Sequence, residues 1–461
     1  MLLKFIEKKL IVLLLIILFI SSNISLAKNM VQTDELVDLN SEKSIVNWTI
    51  MYYICGDDDV MDPYIDPLLE NISNIGSNYD LNIITLTDRL GYGNSNICYI
   101  NENGTKKNLN SVLYWPEEVD MSRSETLEMF CKNIIDFFPS EHYALIIYAD
   151  GGTGWQKYLL NDQDGKGYLT IPEFAECLKE ITDNAIDKLD ILHTSCCMSN
   201  IELSYEFMPY VKYLITTQEH ISHERWVKRF YKGVWNLRNN TSMTPLDFSK
   251  ITALSHNPHT FQMHESYGIK ITLLAKIFDK LPFPGFKIVK MHSSVSVVNL
   301  SKICILKKEI QNLTEILILN LEDKDVNGAI KKARKETREY GKGQPRYFVH
   351  PLIYAKLPID LLSYSCRIDL YQLIELIKKN VDNSMIKNHC KIVMNSINDS
   401  IKIINKVEND PSHGLNIYFP DNSIDYNKDI EGGKLACFYE NLKFSKETTW
   451  DEFIRSYLGV E

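Results

Sequence analysis

Beyond residue 20 this 461-residue sequence has no apolar run long enough to cross a bilayer core, which takes about 20 residues in helix. That excludes a chain threaded through the membrane by internal spans. Basic residues are in deficit, 50 against 60 acids, and they form no cluster beyond Lys331-Lys332-Ala333-Arg334-Lys335. A diffuse acidic balance gives no electrostatic footing for nucleic acid. At helical spacing the one basic run reads as a solvated face. Ten cysteines are present, but none fall in a C-x-x-C pair, so a zinc ribbon or thioredoxin-type site is excluded. Internal repeats and low-complexity tracts are also missing.

What is present begins with residues 1–27, which read as an export signal. Lys4, Lys8 and Lys9 precede an apolar run from Leu10 to Ile20, and Ser25-Leu26-Ala27 puts small residues at −3 and −1. Eleven apolar residues are too few for a membrane anchor, so cleavage is expected after Ala27, with a secreted product that does not span the membrane. Loss of three Lys and one Glu takes the formal charge from −10 to −12. Residues 28–46 are polar and aperiodic, a flexible leader. Eight cysteines (Cys55, Cys98, Cys131, Cys177, Cys304, Cys366, Cys390, Cys437) sit in apolar or mixed contexts and read as small buried hydrophobes, with room for a disulfide or two.

From residue 47 to 245, apolar runs of strand length alternate with amphipathic helices. Trp48–Cys55, Leu81–Thr87, Tyr143–Ala149, Leu189–Thr194 and Tyr213–Thr217 are the buried strands. Asn96–Asn101 with Leu109–Trp115 reads as a hairpin, and 125–138, 172–184 and 200–208 as helices. Fully apolar strands alternating with helices mean a parallel-dominated α/β sheet covered on both faces. Chemistry in such sheets sits beyond the carboxyl ends of the strands, where two loops stand out: Asp150–Trp155 and Ser195–Asn200. Residues 246–461 are mostly helical by pattern (273–281, 303–321, 326–340, 370–381, 388–407) and return to β at Gly414–Pro420.

The ordered set of motifs resembles the clostripain family of cysteine peptidases, whose fold is caspase-like. Its carriers are Trp48-Thr49 with Gly56-Asp57-Asp58, then Asp88-Arg89, then Tyr143–Ile147. They continue with Cys196-Cys197-Met198, Glu202 and Tyr205-Glu206, and end with Asp369-Leu370-Tyr371, Gly414–Pro420 and Thr448-Thr449-Trp450 with Phe453. The resemblance implies Cys196 as nucleophile and peptide or protein ligands, with Gly151 and Gly152 shaping the oxyanion-side loop. Two positions depart from the family pattern. Asp150 stands where the family keeps its catalytic histidine, and Thr194 replaces the acid two residues before the nucleophile. That acid helps line the family's pocket for a Lys or Arg side chain; Glu219 and Glu224 are the acids left to serve there.

Asp150 is a poor base for a thiol. With reference pKa values near 3.9 and 8.5, the transfer is uphill by roughly 6 kcal/mol, and a neighbouring carboxylate raises a thiol pKa. His193 lies three residues before Cys196, an odd spacing that sends the two side chains to opposite faces. His142 falls at the far end of its strand. His220 and His223, in the loop after the fifth strand, are the alternative bases. The expectation is a catalytically degenerate homologue acting through binding, against the alternative of an active endopeptidase with a relocated base.

No cofactor is required by this chemistry. Asp162–Glu173 nevertheless matches a calcium EF loop at positions 1, 3, 6, 8, 9 and 12, with Asp162, Asp164 and Glu173 as ligands. Lys166 occupies a ligand position, and the competing reading is a loop whose Thr170 caps the next helix.

Overall fold

The computed structural model describes residues 45–59, 61–149, 155, 159–162, 164–165, 167–183, 187–194, 197–219, 221, 223–229, 231–258, 260–262, 290–340, 366–426 and 439–460. The first apolar run forms β1 (Val46–Gly56), and its period of two divides it between two cores. Met51, Tyr53 and Cys55 enter one apolar cluster, while Trp48, Ile50, Tyr52 and Ile54 enter the other. A continuous hydrophobic strand is thus a strand with helices on both faces.

Around it lie β2 (Leu81–Arg89), β3 (Asn96–Ile100), β4 (Lys106–Asn108), β5 (Ser140–Tyr148), β6 (Leu160–Asp162), β7 (Gly167–Leu169), β8 (Leu189–His193) and β9 (Val211–Thr216). The chain continues with β10 (Thr260–Gln262), β11 (Lys290–His292), β12 (Ser294–Asn299), β13 (Glu339–Tyr340), β14 (Arg367–Asp369), β15 (Ile401–Lys406) and β16 (Asn416–Tyr418). The main sheet has nine strands in the order β15-β12-β9-β8-β5-β1-β2-β3-β4. Its five central strands are parallel and its edges antiparallel. Helices 65–75, 231–239 and 245–255 pack on one face. Helices 124–137, 171–183, 201–207, 303–319, 370–380, 384–400 and 450–458 pack on the other.

Several expectations are corrected. The helix expected over 388–407 stops at Ser400, and Ile401–Lys406 becomes β15 against β12. The β-branched Ile401, Ile403 and Ile404 find strand partners there, and pairing outweighs helical periodicity. Strands from the carboxyl-terminal half therefore complete the same sheet as residues 47–245. The second arm of the early hairpin is Lys106–Asn108, not 109–115. The Asn110 side chain takes the place of a strand backbone, accepting from Ile97 N at 2.8 Å and donating to Ser95 O at 2.9 Å. Arg334 is not on a solvated face. It is buried, donating from Nε to Phe419 O at 2.6 Å and pairing with Glu339 and Asp421. No disulfide joins any two of the described cysteines, and Cys131, Cys177 and Cys390 are buried thiols. The helix expected at 273–281 lies outside the described residues.

Candidate functional site

The carboxyl ends of β1, β2, β5, β8 and β9 share one edge of the sheet. β5 and β8 are direct neighbours, in the register Ala144 opposite Ile191 and Ile146 opposite His193. The segments beginning at residue 150 and at residue 195 thus leave adjacent parallel strands at the same end, as the pattern of buried runs requires. Asp150, Gly151, Gly152, Cys196 and His220 lie outside the described residues.

The loop immediately after position 196 is held from several sides. Cys197 is buried and adopts φ 63°, a left-handed conformation that costs an L-residue about 1–2 kcal/mol. Its N–H donates to Thr217 Oγ1 at 2.9 Å, and its carbonyl accepts from Arg367 Nη1 at 2.9 Å and Asn200 Nδ2 at 3.2 Å. Ser199 N donates to Thr217 O, and Asn416 N donates to Ser199 O at 2.8 Å. The strained turn is therefore clamped by β9 on one side and by β14 and β16 on the other. No local sequence signal marks Arg367 for this role, because its partner lies 170 residues away.

Behind the clamp, Glu202 is fully buried. Its Oε1 accepts from Tyr418 N at 2.9 Å, and burial raises its carboxyl to about 7 against the opposing pull of hydrogen bonds and Arg367. A second network surrounds Asp369. Its carboxylate accepts from Gln218 Nε2 at 3.0 Å, Tyr340 Oη at 3.2 Å and His413 N at 2.8 Å, and lies 2.9 Å from His413 Nδ1. Gln218 also donates to Asn416 Oδ1 and accepts from Gly414 N. The loop after β9 is thereby tied to the carboxyl-terminal strands, and the His413 ring stacks on Tyr371 at 4.5 Å.

The predicted pocket residues differ in burial. Thr194 is buried, and its hydroxyl bonds Thr216 Oγ1 at 3.1 Å. Glu219 is buried in the loop after β9, whereas Glu224 is exposed and pairs with Lys228 one helical turn on. His193 sits on the opposite core with its ring 5.7 Å from Trp226, and burial drives its pKa down to about 3. It stays neutral at physiological pH and far from a base's useful range. His223 opens helix 223–229, with its ring 5.9 Å from Tyr64 and 6.1 Å from Tyr148. His142, at the far end of β5, pairs with Asp190.

The segment read as an EF loop, Asp162–Glu173, runs through β6, β7 and the start of helix 171–183, with residues 163 and 166 outside the described residues. β6 and β7 are an antiparallel hairpin with Asp162 opposite Gly167. Glu173 is exposed, and its Oε2 accepts from Thr170 N and Oγ1 at the start of helix 171–183. Asp162 instead turns inward to Asp57 and Asp88, each offering an oxygen within 4.8 Å of the others. Burial, with added repulsion from like charges, pushes Asp88 to about 8 and Asp162 to about 7.

Among the described residues no helix is long and apolar enough to cross a membrane. A sequence model of the clostripain family matches residues 52–457. The fold is similar to that of a secreted cysteine protease from Bacteroides thetaiotaomicron, solved with an irreversible peptide inhibitor. Identity is 14%, covering 88% of this chain and 99% of that one, with TM-score 0.54. An inactive zymogen protease from Parabacteroides distasonis is equally similar, at 14% identity, the same coverage and TM-score 0.54. No curated protein sequence matches.

Proposed function

The chain belongs to the clostripain family, and from that premise we propose that it is an exported cysteine-peptidase homologue that has lost turnover and binds peptide or protein ligands. The observation that carries the reading is the pairing of positions 150 and 196. They follow neighbouring parallel strands at one sheet edge, and the sequence puts an aspartate where a near-neutral base is needed. Two of the described histidines are poorly placed to repair the loss. His193 is buried and held neutral on the far face, and His142 is at the wrong end of its strand. Thr194 brings a hydroxyl already bonded to Thr216 where the family has an acid, so the pocket's preference for basic side chains is lost or passed to buried Glu219. Export follows from the amino-terminal apolar run.

Alkylation tests the reading. A Cys196 activated by a base reacts with iodoacetamide far faster near neutral pH than a free thiol does, whereas the proposal predicts a rate no higher than that of a model thiol. Accelerated labelling confined to Cys196 would return the protein to the active endopeptidases.

A further inference from the structure

The imidazole of His413 is held at one nitrogen and open at the other, and from this we propose that His413 is a ligand-contacting residue, accepting through Nε2 a hydrogen bond from an N–H donor of a bound peptide. The proposal rests on the reading that the chain binds peptides.

β9, β12 and β15 run in alternating directions, so β15 ends at the edge where β9 ends. His413 lies in the connection that leaves there, between β15 and β16. The residue after it joins both loops of the candidate site. Gly414 N donates at 2.6 Å to Gln218 Oε1, in the loop after β9. Gly414 O accepts at 2.5 Å from the hydroxyl of Ser199, in the loop after β8. β12 and β15 stand two and three strands from β8, about 10–14 Å at the usual strand spacing. An extended peptide covers that span in about three or four residues.

The ring is set in advance. Asp369 is fully buried, and its carboxylate accepts from His413 N at 2.8 Å, Gln218 Nε2 at 3.0 Å and Tyr340 Oη at 3.2 Å, with His413 Nδ1 at 2.9 Å. An ionised carboxylate only accepts, so Nδ1 carries the proton and Nε2 of the neutral ring is left as an acceptor. Tyr371 stacks against the ring at 4.5 Å. The His413 side chain is 31% exposed, and among the described residues Nε2 has no hydrogen-bond partner. A ring fixed in this way loses little freedom on meeting a ligand. The charges nearby do not select an anion. Lys406 and Arg338 stand against Glu408, Asp410 and Asp369, and Arg338 is already paired with Asp410 at 3.2 Å. A neutral N–H, which a peptide offers at every residue but proline, suits the open nitrogen.

Fluorescein-labelled casein, an unfolded chain, serves as the peptide probe in anisotropy titrations at pH 8. His413→Asn keeps a donor for Asp369 but lacks the outward nitrogen. It should melt at the wild-type midpoint and bind casein about 3–10-fold more weakly. His413→Gln carries an amide oxygen out toward the Nε2 position and should bind more tightly than His413→Asn. Bound casein should shield His413 from diethyl pyrocarbonate, read by peptide mass mapping. Iodoacetamide should label Cys196 equally fast in wild type and His413→Asn, since the ring serves the ligand and not the thiol. The proposal falls if His413→Asn binds as wild type does, if Gln and Asn rank in the reverse order, if casein gives no shielding, or if Cys196 labelling slows in His413→Asn. A wild type that binds no casein overturns the binding reading itself, and this proposal with it.

Discussion

Buried Arg367 donates from its guanidinium to the carbonyl of Cys197, the residue after the family's nucleophile position, at 2.9 Å. The charge is carried into the core by β14, and the carboxylate of Glu202 acts on it electrostatically. One side chain thus ties the carboxyl-terminal half of the chain to the turn that presents residue 196.

Removing that charge should be expensive. Arg367→Met takes the charged donor from the buried Cys197 carbonyl, leaving it Asn200 alone, and removes an opposing charge that acts on Glu202; losing a charged hydrogen bond costs about 1.5–3 kcal/mol. Adding Glu202→Gln should recover part of the loss. Urea denaturation of the two single variants and the double variant measures the coupling; strictly additive losses would show that the two groups do not interact.

Asp150→His should restore a near-neutral base beside Cys196 while leaving Gly151 and Gly152 in place. General acid–base assistance is typically worth about 10²–10⁴-fold, so peptidase activity should rise from a near-zero background and vanish with Cys196→Ala. Adding Thr194→Asp should direct cleavage to Lys or Arg, since a buried carboxylate can pair with either. A wild type that is already active, and is slowed by Asp150→His, contradicts the proposed loss of turnover.

The purified protein should remain one chain. The resemblance carries self-cleavage after Lys or Arg as a family habit, and Arg225, Lys228 and Arg229 offer sites at 223–229, where Lys228 is exposed. Incubation followed by mass analysis decides; two stable fragments that disappear in Cys196→Ala would show a working nucleophile.

Acid should destabilise the fold partly through His193. Its folded pKa of about 3 is depressed below the unfolded value near 6.5, so the unfolded chain takes up the proton first. The contribution is complete above about pH 6.5 and is lost as pH falls toward 3. Between pH 7 and pH 5 the wild type should lose about 2 kcal/mol more than His193→Gln. Equal pH slopes in urea midpoints would exclude the histidine as the source.

Within the basic run, Arg334 and Lys332 should behave oppositely. Arg334→Ala strands Glu339 and the Phe419 carbonyl and should cost several kcal/mol. Exposed Lys332→Ala should stay within about 0.5 kcal/mol. Thermal melts of the two variants compare them directly.

Local pattern determined much of this protein. A strand covered on both faces is apolar at most of its positions, so β1, β2, β5, β8 and β9 are legible as runs. Alternation with helices then forces them parallel and brings the segments after β5 and β8 to one edge. The aspartate at 150 and the threonine at 194 are likewise plain in the sequence. Only the tertiary structure decided what depends on partners distant in the chain. Ile401–Lys406 is a strand because β12 lies beside it, and Arg334 is buried because Phe419 and Glu339 arrive to receive it. Arg367 clamps Cys197 across 170 residues. Asp162 matches an EF-loop pattern in sequence, yet it faces Asp57 and Asp88, because a two-stranded hairpin and the ends of β1 and β2 set its direction. Side-chain spacing encodes neighbours within one element, whereas convergence between elements is set by how the sheet and its loops pack.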